Sequence, residues 1–288
     1  MTASNPLNDE PARHLDSTAH LMNSISSQLA DRLRLVSPPG RRRPVQAAVP
    51  PALVLVAHGS RDPRALDTVR ALTDLVRALR PSLPVRLGHI ELNEPLLPDT
   101  LAALGGTPAV LVPLLLGRGY HVKRDIPEMA AAARARVRVA APLGPHPLLV
   151  TTLHARLTEA GWRPEAAARG TSAVVLAAAG SRDPDSAADT RRTARLLAGR
   201  LGVPVVPAYA SAATPTVATA LRALAARGRH DVAVASCFTA PGRFATQCAA
   251  QAPGIVSAPL GAHEAMARLV LHRYDQARAM TGAEPASA

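Results

Sequence analysis

Three ionisable side chains stand where three successive β-prone segments end in the first half of the chain. His58 directly follows the first segment, Glu91 ends the second, and His121 comes a few residues after the third. Ligands of open α/β sheets bind beyond the carboxyl ends of the strands, so these side chains are expected to converge on one crevice. Two imidazoles and a carboxylate suit a borderline divalent metal such as Fe, Co, Ni or Zn, with positions left open for a substrate. Each residue alone is more typical of a structural role, but three together favour a metal site.

The elements that must position these residues alternate between short apolar runs and longer amphipathic stretches, as in βα units. Asp62 and Pro63 supply an N-cap and a proline for the first helical position. The pattern predicts strands at 53–56, 85–90, 109–115 and 137–140, and further helices at 98–104, 127–135 and 147–160. The fold class is therefore α/β, with a parallel sheet flanked by helices.

The second half of the chain repeats the first. Leu55–Pro63 (LVAHGSRDP) returns as Leu176–Pro184 (LAAAGSRDP), and Ala141–His146 (APLGPH) returns as Ala258–His263 (APLGAH). A repeat of this length predicts two tandem lobes of the same architecture. We expect a disordered tail containing Arg, Pro and Ser at 1–50, an N-terminal lobe with the active site at 51–165, and a degenerate C-terminal lobe at 166–288.

The repeat also separates architecture from chemistry. All three candidate ligands are absent from the second half, where His58 corresponds to Ala179, Glu91 to about Ser211 and His121 to about Arg243. The Gly-Ser-Arg-Asp-Pro turn persists, which predicts that Ser60, Arg61 and Asp62 mainly form a turn and a helix cap. Ser60 and the amides of that turn are also placed to contact an anion at the helix N-terminus. His146 and His263 occur in both halves and are predicted to be structural.

Composition narrows the class of ligand. The chain has 288 residues and a formal net charge of +12, and Lys123 is its only lysine. Such a charge favours a polyanionic partner, whether nucleic acid, anionic lipid or a metabolite with several carboxylates. Phe, Tyr and Trp together number six, and no zinc-finger or RRM signature is present, so we expect no nucleic-acid partner.

Cysteine usage and hydropathy favour a cytoplasmic protein. Cys237 and Cys248 are too few and too far apart for an iron–sulfur cluster, a Cys-rich zinc module or a disulfide scaffold. The run from Ala109 to Leu116 is far shorter than the roughly 20 apolar residues of a membrane span. We therefore expect no membrane partner, and the N-terminus shows no secretory signal.

Three motifs resemble those of the sirohydrochlorin chelatases of the CbiX/SirB type. They are Ala57–Pro63 (AHGSRDP), Ile90–Pro95 (IELNEP), and Val112–Leu116 (VPLLL) followed by Tyr120–Pro127 (YHVKRDIP). The resemblance covers Leu53 to Leu157 and extends, degraded, to Tyr274.

The resemblance implies two Rossmann-like, chelatase-like lobes and an ATP-independent class II chelatase. Such a lyase inserts Fe²⁺, giving sirohaem, or Co²⁺, on the route to cobalamin, into sirohydrochlorin without a tightly bound cofactor. The family's metal-site residues carry over to His58, His121 and Glu91. Arg124 departs from the family where some members have a further histidine, and the ligand positions are lost in the second lobe.

The expected reaction accounts for these residue types. Metal insertion removes two pyrrole N–H protons, and imidazole both ligates a metal and accepts protons near neutral pH. We therefore predict His58, Glu91 and His121 as metal ligands and catalytic groups. Sirohydrochlorin is an octacarboxylate, which guanidinium groups bind in bidentate fashion. The predicted substrate-binding residues are Ser60, Arg61, Arg118, Lys123 and Arg124, and Arg182 and Arg243 are further candidates by position.

Several alternatives stay open at this stage. A non-catalytic metal or tetrapyrrole carrier would use the same three ligands, and Fe²⁺, Co²⁺ and Ni²⁺ all suit them. His89 shares a strand face with Glu91, so it either joins the site or packs in the core. Glu94 is expected to cap or position the following helix. A chain with two fused lobes has less need to dimerise than a single lobe, so a monomer is expected.

Overall fold

The structure, a computed structural model, describes residues 50–163, 165 and 170–280, which belong to one compact unit beginning at Pro50. We call residues 51–163 lobe one and residues 170–280 lobe two. Apart from Pro50, the tail predicted at 1–50 lies outside the described residues. The boundary between the lobes was predicted at 165/166. Within 164–169 the structure describes only residue 165, so this boundary is not tested.

Lobe one is a four-stranded parallel sheet in the order β2-β1-β3-β4. Every residue of its central strand is apolar and buried, as expected where helices cover both faces of a parallel sheet. In chain order the elements are β1 (Ala52–Ala57), α1 (Pro63–Leu79), β2 (Val85–His89), α2 (Leu97–Ala103), β3 (Ala109–Pro113), a π-helix (His121–Asp125), α3 (Ile126–Ala131), β4 (Val137–Val139) and α4 (Pro147–Glu159).

Lobe two is a three-stranded parallel sheet in the order β6-β5-β7. An isolated bridge between Val234 and Val256 stands where lobe one has its fourth strand. The elements are β5 (Ser172–Ala178), α5 (Pro184–Leu201), β6 (Val205–Tyr209), α6 (Val217–Ala225), β7 (Asp231–Ser236), α7 (Arg243–Ala249) and α8 (Glu264–Ala279). The predicted two-lobe α/β fold is confirmed.

The main departure from the predicted elements precedes α3. The helix expected at 127–135 is shorter, and a π-helix with an Ile126 amide bond to the His121 carbonyl comes before it. No residue of the π-helix is buried, so the spacing of apolar residues, which follows burial, could not predict this element. Among the residues described, no helix is long and apolar enough to cross a membrane.

The two sheets share one core. Its buried side chains come from one face of each sheet and from α1, α4, α5 and α8. Smaller apolar clusters cover the outer faces, under α2 and α3 in lobe one and under α6 and α7 in lobe two. The layers are therefore helix, sheet, helix, sheet, helix.

The lobes exchange their last helices. Helix α4 packs against β7 of lobe two, and α8 packs against β3 and α1 of lobe one. Tyr274 of α8 donates a hydrogen bond to the Pro51 carbonyl at 2.7 Å, and Asp275 accepts two from Arg80 at 2.8 Å each. These contacts hold the two lobes together.

Candidate active site

The turn after β1 brings His58 and Glu91 together through a glycine. Gly59 has φ +104°, and a Cβ there would lie 1.8 Å from the Glu91 carbonyl oxygen, so only glycine fits. The Glu91 amide donates to the His58 carbonyl at 3.1 Å. The two backbone segments are thereby held in contact, which places Glu91 beside His58, the residue that lines the cleft.

The π-helix delivers the second histidine. His121 is its first residue, and its Nε2 lies 3.0 Å from Nε2 of His58, with the rings nearly perpendicular. Single π-helical turns are frequent at functional sites because they re-aim one side chain. We call these two residues the histidine pair.

A carboxylate stands behind each imidazole. Oδ2 of Asp125 lies 2.5 Å from Nδ1 of His121, and Oε1 of Glu91 lies 3.6 Å from Nδ1 of His58. Carboxylates in this position orient metal-binding histidines and fix their tautomer. Sequence reasoning missed Asp125, although its i, i+4 spacing from His121 on a helical segment could have indicated it.

The tautomers that these carboxylates favour leave the two Nε2 atoms free to bind a cation between them. Nδ1 of His58 also faces the Gly59 carbonyl at 3.3 Å, so both imidazoles have oxygen acceptors beside Nδ1, which favours the tautomer with the proton on that atom. Both Nε2 lone pairs then point at each other across 3.0 Å, an arrangement that requires a proton or a metal ion between them. With metal–nitrogen bonds of about 2.1 Å, this separation corresponds to a bond angle of roughly 90°.

The third predicted ligand is placed differently. Glu91 lies on the Nδ1 side of His58, away from His121. Within 50–163, 165 and 170–280 no group of three or more His, Cys, Asp or Glu side chains is arranged to hold a metal. The structure thus brings two predicted ligands together and puts Glu91 behind one of them, so direct ligation by Glu91 stays a prediction.

The histidine pair opens into a cleft of about 1270 Å³ lined by both lobes. Of the predicted substrate-binding residues, Ser60 and Arg61 line it, whereas Arg118, Lys123 and Arg124 do not. Arg118 and Lys123 form ion pairs with lobe two, and Arg124 is exposed on the π-helix. The two candidates from lobe two, Arg182 and Arg243, also line the cleft.

The repeated turn has the predicted architectural role in both lobes. Ser60 Oγ accepts from the Asp62 amide and Ser181 Oγ from the Asp183 amide, each at 3.1 Å. The two aspartates cap α1 and α5. The hydrogen bond from Arg64 lowers the pKa of Asp62, which keeps this cap ionised.

Three further histidines, His89, His146 and His263, make structural contacts. His146 and His263 cap α4 and α8 through Nδ1, as predicted. His89 is buried, faces the Pro95 carbonyl through Nδ1 at 3.1 Å, and lines the floor of the cleft. Burial lowers its pKa, so it is neutral near pH 7. Glu94 accepts from the amide of Leu96, the N-cap residue of α2, as expected.

The CbiX family model matches residues 52–160 and again residues 173–277, once in each lobe. The chain belongs to the CbiX family. The resemblance found in the sequence is confirmed, and the two matches coincide with the two sheets.

Relatives of this CbiX-family protein include two enzymes with assigned activities. Over 81 residues it is 37% identical to the sirohydrochlorin cobaltochelatase of Methanococcus aeolicus, covering 27% of this chain and 57% of the relative. Over 174 residues it is 33% identical to the sirohydrochlorin ferrochelatase of Bacillus subtilis, covering 57% of this chain and 64% of the relative. The chain thus spans less than two thirds of the length of these curated relatives.

A solved structure has the same two-lobe fold. SirB from Bacillus subtilis with Fe³⁺ gives a TM-score of 0.65 at 25% identity, over 81% of this CbiX-family chain and 97% of that one.

Proposed function

We propose that this CbiX-family protein is a sirohydrochlorin chelatase, an ATP-independent lyase that inserts Fe²⁺ or Co²⁺ into the macrocycle. The observation that carries the proposal is the histidine pair, whose two Nε2 atoms face each other at 3.0 Å inside the cleft. Such a pair suits both tasks of a chelatase, which are to present a metal ion and to accept the protons that it displaces. The names of the relatives support the same activity, and they include both metals.

The charge of the cleft supports a polyanionic substrate. Three cleft arginines, all exposed, have no ion-pair partner among the described residues: Arg61, Arg182 and Arg243. The two carboxylates in the lining, Asp62 and Asp183, are already paired with cations outside it. The cleft therefore offers uncompensated guanidinium groups, which match the carboxylates of sirohydrochlorin.

Exposed apolar side chains support a flat macrocycle. Leu92 is 53% exposed and Tyr120 is 66% exposed, and they directly follow Glu91 and directly precede His121. Leu92 also has a φ of +67°, a strained conformation for a leucine. Exposed apolar groups flanking a polar centre indicate a ligand with an apolar face. We infer that they contact the plane of the tetrapyrrole while the arginines bind its rim.

The chemistry is an exchange of one dication for two protons. As the metal enters the ring, two pyrrole N–H bonds break, and the imidazoles of His58 and His121 accept the protons at Nε2. Glu91 and Asp125 stabilise the resulting imidazolium groups from the Nδ1 side, since each adds a negative charge close to the ring. The protons then leave to solvent, because both histidines are part-exposed.

The test is anaerobic metal insertion into sirohydrochlorin, followed by absorbance, with Fe²⁺ and Co²⁺ supplied separately. Wild type is expected to turn over many times, while His58→Ala and His121→Ala lose at least about 100-fold in rate, as for removal of a general base. One product per protein would instead indicate a carrier, and no rate above the spontaneous reaction would reject the enzyme. We also propose that the protein is cytoplasmic and monomeric.

A further inference from the structure

A buried aspartate of lobe two holds the segment that carries His121. Asp189 lies on α5, and its side chain is 6% exposed. It accepts three hydrogen bonds from Arg118, from the backbone amide at 2.9 Å, from Nε at 3.0 Å and from an Nη at 2.8 Å. A bidentate guanidinium bond combined with a backbone bond fixes both the side chain and the main chain of Arg118.

A second contact holds the same segment on the other side of His121. Nζ of Lys123 lies 2.7 Å from Asp183 and 2.9 Å from Asp185, both at the beginning of α5. A Cβ at Gly117 would lie 3.5 Å from Cβ of Asp189, so the backbone itself packs against α5. Residues 117–123 are therefore anchored to lobe two on both sides of the histidine.

In the described part of the chain, lobe one has no equivalent ion pairs that would hold the corresponding segment of lobe two. The equivalent backbone hydrogen bonds of the two lobes align Arg118 with Pro241, Lys123 with Thr246 and Asp189 with Thr68. None of these residues carries a charge, so lobe one cannot hold α7 in the same way. These ion pairs thus occur on the segment that carries His121 and not on its counterpart in lobe two.

We propose that Asp189, with Asp183 and Asp185, positions His121 so that its Nε2 meets that of His58. Arg118 and Lys123 are then positioning residues that connect lobe two to the π-helix, since their charges are already neutralised by these carboxylates. Lobe two has lost the metal ligands but supplies the anchor for one of them. This inference rests on the proposed role of the histidine pair as a metal site, and it does not depend on turnover.

The test measures Co²⁺ binding without sirohydrochlorin, by titration of the visible d–d absorption of the protein. Asp189→Asn keeps the shape of the side chain but removes its charge, and Arg118→Met keeps the backbone amide. Each is expected to weaken Co²⁺ binding by about 10-fold or more, the range found when groups that orient metal ligands are removed. Arg118→Met also removes an ion pair with Asp185 at 3.6 Å, so it is expected to have the larger effect. The double variant should bind no more weakly than Arg118→Met, because Asp189→Asn weakens a contact that Arg118→Met has already removed.

The matched control is Asp275→Asn. Asp275 also bridges the lobes, to Arg80 at 2.8 Å, but neither residue lines the cleft. If holding the lobes together were all that mattered, this variant would weaken Co²⁺ binding as much as Asp189→Asn. We expect it to bind Co²⁺ as wild type does.

Three results would overturn the proposal. They are unchanged Co²⁺ binding in Asp189→Asn and Arg118→Met, equal loss in Asp275→Asn, and a higher KM for sirohydrochlorin with unchanged Co²⁺ affinity, which would make Arg118 a substrate contact. If Asp189→Asn fails to fold by circular dichroism, Lys123→Met replaces it, since Lys123 is exposed. Wild type that binds Co²⁺ without turnover would reject the chelatase while leaving this test intact.

Discussion

The two lobes share one architecture and differ in chemistry. Both keep a glycine whose missing side chain leaves room for a backbone carbonyl oxygen, an aspartate that caps the first helix and a histidine that caps the last helix. These pairs are Gly59 and Gly180, Asp62 and Asp183, and His146 and His263. Lobe one alone has the histidine pair, the carboxylates behind it and the exposed apolar residues beside it. A repeat therefore distinguishes residues that the fold needs from residues that a reaction needs, without any other sequence.

The difference also shows what a degenerate lobe contributes. Lobe two lines the cleft with Arg182 and Arg243, and it covers part of lobe one through α8. Arg243 lies next to the position that corresponds to His121, so lobe two places a cation where lobe one has a metal ligand. One half of the cleft thus suits a metal and the other an anionic rim.

The largest loss of activity that tests this difference between the lobes is expected for a change at Glu91. Glu91→Ser gives lobe one the residue that lobe two has, and it removes the carboxylate 3.6 Å from Nδ1 of His58. We expect metal insertion to slow by about 10- to 100-fold, as for other carboxylates behind metal-binding histidines. Ser211→Ala, the reciprocal control, removes only a hydrogen bond to the Ala179 carbonyl and should leave kcat unchanged. Equal rates for the two variants would contradict the assignment of chemistry to lobe one.

A smaller effect is expected at the apolar residues. Leu92→Ala and Tyr120→Ala replace exposed side chains beside the histidine pair, and the counterpart of Leu92 in lobe two is already an alanine, Ala212. Each should raise KM for sirohydrochlorin by about 5- to 10-fold, since roughly 50 Å² of lost apolar contact is worth about 1 kcal/mol. Co²⁺ binding should not change. Leu196→Ala, at an exposed leucine outside the cleft, is the matched control, and an equal rise in its KM would refute a contact with the macrocycle.

The smallest effect concerns the cap histidines, which should behave alike in both lobes. Burial lowers the pKa of His146 to about 4, with Arg273 and His272 adding to the shift, and burial also lowers the pKa of His263. Between about pH 6.5 and pH 4 the unfolded chain binds more protons than the folded one, so stability falls as the pH decreases. Urea unfolding at pH 7.5 and pH 5 measures this loss.

Serine at either cap keeps an oxygen acceptor and removes the titrating group. His146→Ser and His263→Ser should each reduce the difference between the two pH values. An unchanged difference in both variants would assign the acid sensitivity to other groups.

Much of the site was predictable because it follows from local rules. The strand ends locate His58 and Glu91, and turn chemistry identifies Asp62 as a cap from its place before Pro63. These features depend on neighbours in the chain, whose geometry is limited by backbone sterics. The repeat then removed the false candidates, since His146 returned as His263 and proved to be a cap.

The parts that were missed are relations across the chain. Arg118 and Lys123 were predicted to bind substrate because of their charge, yet they pair with carboxylates 60 to 71 residues away. The exchange of α4 and α8 between the lobes likewise could not be predicted from the sequence. An amphipathic pattern shows that a helix has an apolar face, but it does not show which sheet that face packs against.

The sequence by itself thus determined the elements, the two-fold repeat and the residue types that could bind a metal, since these depend on periodicity and local backbone preference. Only the tertiary structure decided which nitrogen of each histidine faces the cleft, that Glu91 stands behind His58, and which arginines remain unpaired. Those outcomes depend on distances between segments far apart in the chain, which are set by packing of the shared core.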